Sequence, residues 1–196
     1  MRRWFIGIFF TLSILLPGLA YAHSEHEAKS FMSGFMHPLL GPDHLLAMLS
    51  VGIISALIGG RAIFWVPAAF VTSMLLGGTL GATGVAFPFI EIGIALSVLL
   101  LGVGIAMPRQ FPTWLTMAAV GLFGSMHGNA HGVEMPQAAV PVFYSLGFVI
   151  STSLIHVAGV GVGFIPLLHW RNRLPMGVAG MMISAVGIYF IVQLGQ

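Results

Sequence analysis

The sequence predicts an all-α, polytopic membrane protein: a bundle of six transmembrane helices that follows a cleavable signal peptide. The chain of 196 residues is 58% hydrophobic and only 6% charged, and its mean hydropathy is +1.01. Soluble domains carry about 25% charged residues, so a soluble fold is excluded. Backbone groups in lipid must be satisfied within each segment, which makes helices the expected spans. The chain has no cysteine, which excludes disulfide, iron–sulfur and thiolate sites.

Residues 1–22 have the layout of a secretory signal peptide. Arg2 and Arg3 form a positive start, residues 4–16 form a short apolar core, and Ala-Tyr-Ala at 20–22 fits the small-x-small cleavage rule. Residues 23–30 then form an extracytoplasmic, histidine-containing tail, and residues 31–196 form the six-helix domain. Without the two arginines, five basic residues balance five acidic ones, so the pI of about 9.5 does not indicate a nucleic-acid partner.

The predicted spans lie near 31–58, 62–82, 87–107, 111–133, 138–167 and 175–194. The loop arginines are Arg61, Arg109, Arg171 and Arg173, and they fall in the first, third and fifth loops. The positive-inside rule makes these loops cytoplasmic, so both termini of the mature chain are expected outside a bacterial inner membrane. The first and fourth helices then run in opposite directions. That arrangement suggests a 3+3 inverted repeat with a site between the halves.

Two of the apolar segments carry titratable side chains. The first contains His-Pro-Leu-Leu-Gly-Pro-Asp-His at 37–44, and the fourth contains His-Gly-Asn-Ala-His at 127–131. Ionisable groups at bilayer depth are costly and usually have a function, and converging imidazoles and carboxylates suit a divalent transition metal. The sequence therefore predicts a metal site within the membrane. Its candidate ligands are His37, Asp43, His44, His127, His131 and Glu134.

The spacing within each motif predicts how these side chains meet. Proline at 38 and 42 predicts a kink or an unwound segment, because proline removes an amide donor and clashes with the preceding turn. In the fourth helix, His127, His131 and Glu134 stand at i, i+4 and i+7 and form one stripe. Glycine recurs there at 124, 128 and 132, which lets a neighbouring helix approach closely. Both motifs lie in the outer halves of their helices, so we expect one cluster near the extracytoplasmic face.

Four further residues are additional candidates for metal contact. His23 and His26 lie in the tail, which either captures metal or simply frays as a polar terminus. Glu91 stands near the outer start of the third helix, where it joins the cluster or pairs as a protonated acid. His156 lies deeper in the fifth helix, either as a second station towards the cytoplasm or as a hydrogen-bond partner of a neighbouring helix.

The two motifs together resemble those of the HupE/UreJ family of nickel/cobalt permeases. The resemblance rests on His-Pro-x-x-Gly-x-Asp-His at 37–44 and His-Gly-x-Ala-His-Gly-x-Glu at 127–134, and it covers the whole chain. It implies import of Ni2+ or Co2+, often to supply hydrogenase, urease or cobalamin synthesis. It also implies that the metal-handling residues are His37, Asp43, His44, His131 and Glu134.

We therefore expect a secondary or facilitated permease, not an enzyme, whose partners are the metal ion and the lipid bilayer. The transported ion is its substrate, with Ni2+ preferred and Co2+ a close competitor, and no prosthetic group is expected. The chain has no Gly-x4-Gly-Lys-Ser/Thr phosphate loop, so ATP hydrolysis is not expected. One alternative is an intramembrane zinc-dependent hydrolase, although the usual His-Glu-x-x-His is missing. Another is a bis-histidine haem cytochrome, which leaves Asp43 and Glu134 without a role.

Overall fold

The computed structural model describes residues 25–107, 111–165 and 174–195 in full and residues 166–169 by their backbone alone. The predicted signal peptide, His23 and the loop arginines Arg109, Arg171 and Arg173 lie outside these residues. The described part of the chain is helical and contains no strand. Its helices are α1 Glu25–Leu40, α2 Pro42–Ile58, α3 Ala62–Ala82, α4 Ile90–Ala106, α5 Thr113–Val133, α6 Pro141–His169 and α7 Leu174–Gln193.

The first predicted span, near 31–58, begins earlier in the structure than expected, and the break predicted within it divides it into two helices. The helix begins at Glu25, so most of the expected tail is helical, and α1 and α2 meet at Gly41 with a bend of 81°. Pro42 is the first residue of α2, where its missing amide hydrogen costs nothing. Leu45 donates its backbone N–H to the Gly41 carbonyl at 2.9 Å, which closes the first turn of the new helix. The predicted break is thus confirmed.

Length and apolar composition support a membrane protein, although they identify fewer than six spans. Among the described helices α3, α6 and α7 are long and apolar enough to cross a bilayer, and the bent pair α1–α2 makes a fourth if it counts as one span. Helix α4 is apolar but has only 17 residues. Helix α5 is long enough, but its histidines, asparagine and glycines lower its hydropathy.

Three helix pairs build the bundle: α3 lies along α5, α4 along α7, and α2 along α6. Close approach in each pair depends on glycine. A Cβ at Gly128 of α5 would overlap the Met74 carbonyl of α3, and one at Gly159 of α6 would overlap the Leu49 carbonyl of α2. Small residues let membrane helices touch backbone to backbone. The predicted glycine stripe on the fourth helix is therefore confirmed, and its neighbour is α3.

Candidate metal centre

The break between α1 and α2 positions Asp43 and His44. The Asp43 carboxylate oxygen Oδ1 accepts the backbone N–H of His44 at 2.9 Å and lies 2.8 Å from the ring Nδ1 of the same residue. A carboxylate only accepts, so Nδ1 is the nitrogen that donates, and Nε2 makes no hydrogen bond within the described protein. A Cβ at Gly41 would stand 3.0 Å from His44 Nδ1 and 3.1 Å from Asp43 Oδ1, so glycine leaves room for the pair.

His127 is oriented in the same way by its own helix. Its Nδ1 lies 2.9 Å from the Phe123 carbonyl oxygen one turn earlier, and its side chain is fully buried. Because a carbonyl only accepts, Nδ1 donates and Nε2 is again the free nitrogen. Metal-binding histidines usually donate their second ring N–H to a carboxylate or carbonyl, which fixes the tautomer and the ring orientation. His44 and His127 both have this arrangement before any ion is considered.

His37, His131 and Glu134 form the outer part of the cluster. One ligand atom from each lies within 4.8 Å of the other two, which is close enough for a shared ion. His37 Nε2 stands 3.5 Å from Glu134 Oε2, and the rings of His37 and His131 meet edge to face with centroids 4.6 Å apart. The Glu134 side chain is 51% exposed and that of His37 is 32% exposed. The two residues therefore form the exposed rim of the cluster.

The remaining histidines continue inward from this rim. The ring centroid of His44 is 4.3 Å from that of His131 and 4.9 Å from that of His127. The free Nε2 atoms of His44 and His127 and both ring nitrogens of His131 are buried and make no hydrogen bond within the described protein. Buried polar atoms normally have partners, so these orphaned nitrogens indicate a missing one. A divalent cation satisfies several of them at once.

Comparison with known proteins identifies the family of the chain. The family model described as HupE / UreJ protein matches residues 11–190. The chain belongs to the HupE/UreJ family. It is also similar to "Protein HupE" from Rhizobium leguminosarum bv. viciae, with 37% identity over 174 residues that cover 89% of this chain and 86% of that protein. No solved structure matches the chain.

The structure brings all six principal candidates of this HupE/UreJ family member together, but of the additional candidates it leaves out the three that it describes, and His23 lies outside the described residues. Glu91 is exposed at the start of α4 and is not part of the described metal-capable group. His26 is exposed on the first turn of α1, where its carbonyl accepts the Ser30 hydroxyl at 2.8 Å. His156 is buried in α6 and its ring contacts Phe70, away from the rim.

Sequence reasoning overlooked Asn129 and Tyr144. Asn129 fastens the α3–α4 loop: its side-chain N–H donates to the Val85 carbonyl at 2.8 Å, and its oxygen accepts the Phe87 N–H at 2.8 Å. The sequence signal for Asn129 was its position between two candidate ligand histidines. The Tyr144 hydroxyl is buried and makes no hydrogen bond with the part of the chain that the structure describes, and its ring centroid is 6.2 Å from that of His37. It lines a cavity of about 130 Å³ beside His131.

Proposed function

We propose that this protein is a secondary or facilitated permease that imports a divalent transition-metal ion across the inner membrane, with Ni2+ as the preferred ion and Co2+ as its close competitor. Membership of the HupE/UreJ family supports a transporter over an enzyme. The observation that carries the proposal is the set of buried, unpartnered imidazole nitrogens beside the rim of His37 and Glu134. Nitrogen and carboxylate ligands suit both ions.

Exposure within the cluster suggests a direction of travel. It falls from Glu134 and His37 at the rim, through His44 with 13% of its side chain exposed, to the fully buried His127. Glu134 and Asp43 would offset the charge of the ion, and the imidazoles would replace its water. Membrane potential would then drive the cation inward with about 2.3 kcal/mol per charge per 100 mV.

The predicted topology places this rim outside. Arg61 lies in the loop before α3, and the rule that basic loops face the cytoplasm puts this end of the bundle inside. The mature N-terminus and C-terminus are then extracytoplasmic. The helix pairing supports a 3+3 inverted repeat. The α2–α6 pair joins the first and fifth spans, and exchanging the two halves turns it into a pair of the fourth and second spans. That pair is the observed contact between α5 and α3.

The histidine spacing disfavours the haem alternative. Ring centroids of 4.3 Å and 4.9 Å around His44 leave no room for a porphyrin between the imidazoles. The imported ion would supply maturation of a metalloenzyme such as a hydrogenase or urease, or cobalamin synthesis, as the family resemblance implies.

Uptake of radiolabelled Ni2+ by a host without its own nickel importer tests the proposal. Cells that produce the protein should accumulate the ion, and excess Co2+ should reduce accumulation. His131→Ala should remove the gain while the protein remains in the membrane at normal abundance. Equal accumulation with and without the protein, or full uptake by the His131→Ala variant, would refute the assignment.

A further inference from the structure

Tyr144 is a buried tyrosine beside the rim of the cluster. Its side chain is 3% exposed, and its hydroxyl makes no hydrogen bond with the residues that the structure describes. A buried hydroxyl without a partner has lost its bonds to water and gained none in return, which disfavours the folded state. Phenylalanine would fill the same space without that cost. Because buried polar groups normally have partners, the hydroxyl indicates a partner outside the described protein.

The ring of Tyr144 shares its contacts with the histidines of the rim. Its centroid is 6.2 Å from that of His37, and the two ring planes meet at 72°. Phe148, one turn further along α6, stacks on the Tyr144 ring with centroids 6.4 Å apart. The Phe148 ring is in turn 4.3 Å from that of His131. Tyr144 therefore belongs to the same group of packed rings as the two histidines that lie close to Glu134.

The backbone of Tyr144 is held against the helix that carries His37. A Cβ at Gly34 of α1 would overlap the Tyr144 carbonyl, so the two helices touch backbone to backbone at this point. Gly34 precedes His37 by three residues, which puts the contact and the rim histidine on the same face of α1. Ser30 adds a hydrogen bond between the same helices, since its hydroxyl oxygen accepts the Val140 N–H at 3.0 Å. The fold itself thus sets the position of Tyr144 relative to His37.

The rim residues leave part of the coordination shell of an ion to water. His37, His131 and Glu134 each offer one ligand atom, and these atoms lie within 4.8 Å of one another. Three protein ligands leave a position open for water on a divalent transition metal, as they do in catalytic zinc sites. A metal-bound water is a strong hydrogen-bond donor because the charge of the ion polarises it. The oxygen of a tyrosine hydroxyl is an acceptor for such a donor.

We propose that Tyr144 is a positioning residue of the metal centre, and that its hydroxyl accepts a hydrogen bond from a water ligand of the ion that His37, His131 and Glu134 bind. This inference rests on the proposed function, because that ion is the transported one. The hydrogen bond stabilises the ion at the rim, where it still carries water, before the buried imidazoles replace that water. It also gives α6, which contributes none of the six principal candidates, a direct part in metal binding.

Tyr144→Phe in lipid nanodiscs tests the role of the hydroxyl. Calorimetric titration with Co2+ should show about 10–100-fold weaker binding than in the wild type, the loss that is typical when a hydrogen-bond partner around a bound metal is removed. Thermal unfolding of the metal-free variant should give a Tm at least as high as that of the wild type, because an unpaired buried hydroxyl has been removed. Uptake of Ni2+ should need a higher half-saturating concentration at a similar maximal rate. Weaker binding without a loss of stability separates a positioning role from a packing role.

Tyr189→Phe is the matched control, because it makes the same chemical change in α7, where the side chain is exposed. This variant should bind Co2+ and unfold like the wild type. Unchanged Co2+ affinity in Tyr144→Phe would overturn the role of the hydroxyl and leave the permease intact. A loss of affinity that comes with a lower Tm would overturn it as well, since packing would then explain both changes. Absence of Co2+ binding and of Ni2+ uptake in the wild type would instead refute the proposed function.

Discussion

The helix pairs α3–α5 and α4–α7 both pack closely through glycine, but they differ in the side chains that they carry. In the first pair a Cβ at Gly128 would overlap the Met74 carbonyl, and in the second a Cβ at Gly187 would overlap the backbone of Leu99. Both pairs thus bring backbones into contact. Only α5 adds a histidine stripe beside its glycines, whereas neither α4 nor α7 contains a histidine. Close packing by itself makes a scaffold, and of these two pairs only α3–α5 carries candidate ligand side chains on a packed helix.

The largest expected effect comes from removing the groups at the break of α1 and α2. Asp43→Asn should lower metal affinity by about 10–100-fold, as loss of a ligand's hydrogen-bond partner typically does. His44→Ala should abolish uptake, because it deletes the ring that contacts both His131 and His127. Radiolabelled Ni2+ uptake and membrane abundance should be measured together.

Ser184→Ala provides the matched control in the scaffold pair. The Ser184 hydroxyl donates to the Gly180 carbonyl at 2.9 Å and contacts no member of the cluster. Its loss should leave uptake near normal. Near-normal uptake in Asp43→Asn and His44→Ala would show that the helix break does not take part in metal transport. The two regions would then not differ in function.

The next prediction separates metal binding from structural support on α5. His131→Ala should strongly reduce metal affinity with little loss of stability, because it removes unpartnered nitrogens from the cluster. Asn129→Ala should mainly destabilise the protein, by about 1–3 kcal/mol, since it removes the hydrogen bonds to the α3–α4 loop and the buried one to the Gly77 carbonyl. Calorimetric metal titration and thermal unfolding in the same detergent distinguish the two. Equal losses of affinity would indicate that the helix packs and does not ligate.

A glycine substitution in each pair sharpens the comparison further. Gly128→Ala and Gly187→Ala should both destabilise by about 1–3 kcal/mol, because an added methyl group must displace packed backbone. Only Gly128→Ala should also weaken metal binding, since it pushes α5 and its histidines away from α3. Thermal unfolding gives the common effect and metal titration gives the difference. Matching losses of metal affinity in both variants would mean that the site depends on the whole bundle.

The smallest effect concerns external pH. The rim residues His37 and Glu134 are partly exposed, so protons from outside compete with metal for the imidazole. Metal binding requires neutral histidine, and uptake should therefore fall as external pH decreases. The measurement uses vesicles with internal pH and membrane potential clamped. Uptake that rises on acidification would contradict simple competition and would indicate proton-coupled transport.

The sequence alone was sufficient for most of the helices and for the composition of the cluster. Five of the six predicted spans match helices of the structure with small shifts at their ends, because long apolar runs between short polar loops leave little choice of boundary. The first predicted span begins at Glu25 in the structure instead of near 31, and it is divided at Gly41, although the hydropathy of 31–58 is continuous across that position. The proline and glycine pattern predicted a bend there but could not give its size of 81°.

The sequence by itself determined which side chains are available: histidine and carboxylate groups in apolar helices, in two motifs with fixed spacing. Only the tertiary structure decided which of them meet. It placed His37 beside Glu134, left Glu91 exposed outside the group, and brought the Phe70 ring against both His127 and His156. The physical reason is that spacing along a helix sets the face on which a residue lies, whereas contacts between helices depend on the backbone approach that glycine permits.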